Sequence, residues 1–209
     1  MFEQSLKIYQ KYLPEDHVDT MWVLAYLGNV EIDLGHYEQA KQLLEKSLNI
    51  YRYKKHLPEN HPWITTIMTY FAQLYKEMGQ YKKAEDLQKQ NLKIYEEKFG
   101  HDHIKTAGIQ RALGEIYFSQ GHLETAENYF NKALVTFRAN EHPEYYKTLE
   151  NLSETSLKRS MIEKDVDQAQ NLKKQAIDYI KQSLEAAKTY FPEGSPNLIR
   201  IQSKLDSLK

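Results

Sequence analysis

Leu113-Gly114-Glu115-Ile116-Tyr117-Phe118-Ser119-Gln120-Gly121-His122-Leu123-Glu124-Thr125-Ala126-Glu127-Asn128-Tyr129-Phe130 decides the fold, because the same pattern stands twice upstream. The first copy holds Leu27-Gly28, Gly35-His36-Tyr37, Ala40 and Leu44; the second holds Phe71-Ala72, Tyr75, Gly79-Gln80-Tyr81 and Ala84. Gly35, Gly79 and Gly121 are 44 and 42 residues apart, and so are Ala40, Ala84 and Ala126. A fixed period of that size signals a stack of similar supersecondary units, each covering its neighbour's apolar face.

Every unit contains two amphipathic segments. In the first copy Tyr37, Ala40, Leu44, Ser47, Leu48 and Tyr51 fall at helical spacing, with Glu38, Lys41, Glu45 and Lys46 on the other side. The preceding segment places Met21, Leu24, Leu27, Gly28 and Glu31 on one stripe. Small residues at Gly28, Ala72 and Gly114 predict close approach of two helix axes, with Ala40, Ala84 and Ala126 answering from the partner helix. The glycines between the paired segments supply the left-handed residue that ends one helix and reverses the chain. The expected fold is all-α, built of antiparallel helix hairpins.

Six prolines and eight glycines in 209 residues mostly mark the turns of the repeat and leave no linker, so one continuous domain, 1–209, is expected. Lys plus Arg (28) nearly balances Asp plus Glu (29), which leaves no long-range positive field for a phosphate backbone or an anionic bilayer. Neither nucleic acid nor membrane is expected as a partner. The longest apolar run, Met21 to Leu27, is too short to span a bilayer. The absence of cysteine fits a reducing compartment, and a soluble, cytoplasmic protein is expected.

Leu113-Gly114-x-x-Tyr117 followed by Ala126-x-x-x-Phe130 resembles the tetratricopeptide repeat, with Leu24, Met68 and Gln110 in the column where that pattern prefers Trp. The extra length after each second helix, ending in His/Pro-type loops such as Glu59-Asn60-His61-Pro62, is similar to the repeats of kinesin light chains. The resemblance implies a right-handed α-α superhelix, a tetratricopeptide solenoid. Repeats are expected over 17–57, 62–99, 103–138 and 143–191, with a covering helix over 196–208. The 143–191 unit carries about 11 surplus residues near Ser160 to Asp165, which would lengthen both of its helices. Residues 2–13 align with 44 onward and read as a second helix lacking its first. That helix either continues a longer array, the favoured reading, or docks on a sister chain to form a homo-oligomer.

Chemistry is sparse. His17, His61, His103 and His142 recur once per unit, too far apart to share a metal ion, and Asp16, Asn60, Asp102 and Glu141 before them are expected to cap the helices that follow. No phosphate-cradling loop, zinc-helix signature or nucleophile elbow is present. No catalytic residue, metal or cofactor is therefore expected, and the chain is not read as an enzyme.

The resemblance further implies a groove lined by first helices. Its residues lie three before, two before and one after the small column: Ala25, Tyr26 and Asn29; Thr69, Tyr70 and Gln73; Arg111, Ala112 and Glu115; Glu150, Asn151 and Glu154. The candidate contacts are Tyr26, Asn29, Tyr70, Gln73, Arg111, Glu115, Asn151 and Glu154. Tyrosine at one end and carboxylates at the other suggest a protein or peptide partner with apolar anchors and basic character. The expected function is a non-catalytic interaction scaffold. A regulatory array sensing a small peptide or ligand, and a self-assembly module, are the rival readings.

Overall fold

The computed structural model describes residues 18–54, 58 and 60–208. The predicted helix over 2–13, and Asp16 and His17, lie outside them. Among the described residues there are nine α-helices and no strand: α1 (Val18–Asp33), α2 (Tyr37–Asn49), α3 (Pro62–Glu77), α4 (Tyr81–Phe99), α5 (Ile104–Ser119), α6 (Leu123–Ala139), α7 (Glu144–Ile162), α8 (Val166–Lys188) and α9 (Pro196–Ser207). A π-helical stretch, Ile50–Lys54, continues α2. The chain divides into two compact units, one ending at Ile94 and the other beginning at Tyr95, inside α4.

Both units are made of paired helices whose seams follow one rule. The first helix offers a small residue: a Cβ placed on Gly28 would lie 2.8 Å from Leu44 Cγ, and one on Gly114 would lie 2.5 Å from Phe130 Cε1. No real Cβ tolerates such distances, so glycine is what lets Leu44 and Phe130 seat directly on the opposing backbone. The second helices answer with fully buried Ala40, Ala84, Ala126 and Ala176. In α8's hairpin the small residue is Ser153, whose hydroxyl donates to the Ala176 carbonyl at 2.7 Å.

A second seam device recurs two turns further along. Ser47 Oγ donates to the Met21 carbonyl (2.9 Å), Asn91 Nδ2 to the Thr65 carbonyl (3.1 Å) and Ser183 Oγ to the Tyr146 carbonyl (2.8 Å). Met21, Thr65 and Tyr146 each stand seven residues before the small column, so the three bonds are one bond repeated. A helical carbonyl keeps a second lone pair for such a donor. The third hairpin replaces the bond by a contact of Ala133 with Ala107, both buried. Each bond contributes about 1 kcal/mol, and forms only when the paired helices are in register.

Turns close as anticipated at Gly35, Gly79 and Gly121, with φ of 79°, 71° and 81°. At Gly121 the bonds His122 N to Tyr117 O (2.9 Å) and Gly121 N to Phe118 O (3.0 Å) form the paired C-terminal motif that a left-handed residue permits. The same bonds recur from α6 into α7, where Glu141 takes the left-handed position at φ 49°.

One expectation about helix starts is corrected. The side chains that accept the free amides belong to the histidines and not to Asn60, Asp102 and Glu141 before them. His61 Nδ1 accepts from Trp63 N (3.3 Å), His103 Nδ1 from Lys105 N (3.1 Å) and His142 Nδ1 from Glu144 N (3.2 Å). Each ring also packs on an aromatic neighbour: His61 on Trp63, His103 on Phe99 and His142 on Phe137. A flat ring can both cap and cover an aromatic side chain, which a carboxylate cannot. Asp165 and Ser195 cap α8 and α9 in the ordinary way.

In the second unit α7 and α8 have 19 and 23 residues against 16 and 17 for α5 and α6, so the surplus is shared by both helices. Their tip exposes Met161, Ile162 and Val166. α9 lays Leu198, Ile201 and Leu205 against Tyr146, Ile180, Leu184 and Ala187. Among the described residues no helix is long and apolar enough to cross a membrane.

The seam makes a paired prediction. Gly114→Ala drives a methyl into Phe130 and is expected to destabilise by about 2 kcal/mol. Gly108→Ala in the same helix meets nothing within 4 Å and should stabilise by about 0.5–1 kcal/mol through helix propensity. Urea denaturation midpoints of the two variants read this contrast; shifts of the same sign would refute it.

Candidate functional site

Helical geometry places residues at i, i+4 and i+7 on one face. On α1 that face carries Trp22, Tyr26 and Asn29, and on α3 it carries Thr66, Tyr70 and Gln73. The rings form a continuous cluster: Tyr26 lies 6.2 Å from Tyr70 and 5.6 Å from Trp22, and Trp22 meets Trp63 edge-on at 6.1 Å. Trp63 in turn sits 5.3 Å from Tyr51. Tyr26 is 45% exposed, so the cluster presents ring surface to solvent while its inner members are packed. Beside it, Asn29 Oδ1 is buried with no hydrogen-bond partner, and Gln73 Nε2 donates to Asp33 Oδ1 at 3.2 Å.

Structure thus brings Tyr26, Asn29, Tyr70 and Gln73 onto one surface of the first unit. Trp22 and Trp63 were not singled out from the sequence. Trp22 could have been, since it lies one helical turn before Tyr26 on the same stripe. Ala25, taken from the column three before the small residue, is fully buried and does not reach the surface. That column faces the neighbouring helix: Glu150 in it is only 5% exposed.

In the second unit the candidate charges are engaged with one another. Arg111 pairs with Glu115 on its own helix and with Glu144 at 2.9 Å, and Asn151 Nδ2 donates to Glu115 Oε1 at 3.3 Å. Burial pushes the Glu144 carboxyl up, but Arg111, Lys147 and His142 beside it outweigh that and hold it below the usual carboxylate range. Glu150 receives both guanidinium nitrogens of Arg200 and, at 3.2 Å, the Lys204 ammonium; Lys204 also bonds Glu154. The covering helix α9 therefore brings its own cations to the carboxylates read as a sign of a basic partner. Glu150 and Glu154 are thus neutralised within the chain and need no basic ligand.

On the aromatic face Tyr51, buried and near Asp19, is pushed up furthest, and Tyr70 follows. Burial, and then the adjacent Tyr26, to which its hydroxyl is hydrogen-bonded, push its pKa up to about 12. The neutral phenol is the form the fold favours, so stability is complete below the ordinary pKa of 10.0 and is lost as pH rises toward about 12. Titration of the phenolate absorbance should show late components from both Tyr51 and Tyr70, and the one near about 12 should be missing in Tyr70→Phe. A Tyr70→Phe curve identical to wild type would contradict the packing described.

The sequence profile of the tetratricopeptide repeat matches residues 1–52 and 61–139. No curated protein matches the chain in sequence. Among solved structures the chain is similar to BtubC (BKLC) from P. vanneervenii, at 21% identity over 99% of this chain and 80% of that one, with a TM-score of 0.68. It is also similar to a Podosopora anserina protein of the kinesin light chain kind with nearly identical repeats, at 18% identity, 92% and 86% coverage and a TM-score of 0.66. A Rap protein complexed with Competence and Sporulation Factor matches at 16% identity over 100% of this chain and 58% of that one, with a TM-score of 0.70. At such identities the likeness speaks for the fold, and with the profile match over more than half its length, the chain belongs to the tetratricopeptide repeat family.

Proposed function

We propose that this chain is a non-catalytic scaffold that captures a segment of a partner protein on the first-helix face, with Trp22, Tyr26 and Tyr70 as the anchors. The observation that carries the reading is the partly exposed aromatic cluster of the first unit. Its rings are held by one another and by the α1 and α3 backbones, so little side-chain freedom is lost when a partner binds. Aromatic side chains of this kind dominate interface energetics. A cytoplasmic site of action belongs to the same proposal.

The sensor reading has one specific support. The Rap structure similar to this chain is a complex with Competence and Sporulation Factor, so that neighbour binds such a ligand. A sensor and a scaffold would both use the aromatic face, and they differ in the size of the occupant.

Affinity capture from native lysate tests the proposal. Tyr26→Ala with Tyr70→Ala should lose the captured protein, each change weakening binding by about tenfold or more, while circular dichroism stays that of a folded helical chain. Arg111→Ala should leave capture intact and lower the unfolding midpoint, because its guanidinium bridges Glu115 and Glu144. Unchanged capture by the double tyrosine variant, or loss of capture by Arg111→Ala alone, would overturn the assignment. Light scattering over a concentration series separates capture from self-assembly.

A further inference from the structure

A second concavity of the first unit is lined by none of the aromatic-face residues. It is a cavity of about 610 Å³ between α2 and α4, with α3 as its floor. Volumes of 300–1,000 Å³ are typical of small-molecule sites.

The floor is apolar and rigid. Met68 and Phe71 are 3% and 7% exposed, and Tyr75 stacks on Phe71 with centroids 6.2 Å apart. Leu48 and Leu87 form the facing walls. From Met68 to Tyr75 the floor runs about two helical turns, roughly 10 Å, which is the length of two linked or fused aromatic rings.

The rim decides the charge of the occupant. It carries Glu45 and Asp86 against Arg52 and Lys83, so it is neutral as a whole. Its charges already have protein partners: Glu45 is 4.0 Å from Lys41, and Asp86 is 3.0 Å from Lys82. Lys83 donates to Gln80 at 2.8 Å and lies 5.3 Å above the Tyr75 ring, while Arg52 also has an interaction of its own. A ligand with a full charge would have to break one of these pairs and desolvate both members. A neutral ring system breaks none of them and displaces water only from the partly exposed Leu48, Tyr75 and Leu87. The amides of Asn49 and Gln90 at the mouth, both exposed and uncharged, suit one hydrogen-bonding substituent. Arg52 enters the rim from the π-helical stretch Ile50–Lys54, a local widening that recurs at functional sites.

We infer that the cleft between α2 and α4 is a binding site for a neutral, largely aromatic small molecule bearing one polar substituent, separate from the partner-capture face. The full chain is titrated with N-phenyl-1-naphthylamine, a neutral two-part aromatic amine whose emission rises in apolar surroundings, and in parallel with the anion 8-anilinonaphthalene-1-sulfonate. Saturable binding of the neutral probe at one per chain is expected, with the anion at least about tenfold weaker. Gln90→Trp and Asn49→Trp fill the mouth from two different helices without removing a core side chain; each should weaken the neutral probe by about tenfold or more, and Tyr26→Ala should leave it unchanged. Circular dichroism confirms that each variant stays helical. Absence of saturable binding, equal or tighter binding of the anion, indifference to both rim variants, or loss on Tyr26→Ala would each overturn the site.

Discussion

The seating of a large side chain of one helix directly on the backbone of its partner, at one small-residue column, is the constraint on which the rest of the structure depends. Glycine at 28 and 114 lets Leu44 and Phe130 fill the space a Cβ would occupy, and Ser153 reaches the Ala176 carbonyl from the same column. Once the axes are that close, the second helix must present alanine at 40, 84, 126 and 176, and a short donor two turns on can reach a backbone carbonyl of the first helix. The hydrophobic effect draws the helices together without specifying register. Register comes from the fit of glycine to a large side chain and from the repeated side-chain-to-carbonyl bond.

That constraint also sorts the surface. Helices held at fixed spacing leave their i, i+4, i+7 face outside the seam, and in the first unit this face is aromatic. In the second unit the corresponding helices carry charge, and the charge is met internally: Arg111 by Glu115 and Glu144, Glu150 by Arg200 and Lys204. Partly exposed ion pairs contribute modestly, about 0–1 kcal/mol each, but an engaged carboxylate is a poor signal for an incoming cation. Apolar ring surface has no such internal competitor, so the first unit carries the recognition argument.

Much of this was legible beforehand because period is a one-dimensional property. Spacing of Gly35, Gly79 and Gly121, and of the alanines, reports the hairpins without knowledge of any contact, and the turn glycines take the left-handed backbone anticipated for them. What spacing could not convey was pairing between distant segments. Arg200 and Lys204 lie about fifty residues from the carboxylates they neutralise, and no local pattern announces that meeting. The histidine caps were misplaced by one residue for a chemical reason: a carboxylate or amide is the commoner cap, and the advantage of imidazole appears only beside the aromatic ring it covers. The α2–α4 cleft is invisible to periodicity altogether, since it arises from the gap between walls that each look like ordinary helix surface.

A double-mutant cycle across the seam tests the central claim most directly. Gly114→Ala, Phe130→Leu and the double variant are compared by equilibrium unfolding in urea. If the helices touch as described, the smaller leucine makes room for the new methyl, and Gly114→Ala costs at least about 1 kcal/mol less in the Phe130→Leu background than alone. Strict additivity of the two changes would show that residues 114 and 130 do not meet, and the account of the hairpin would fail with them.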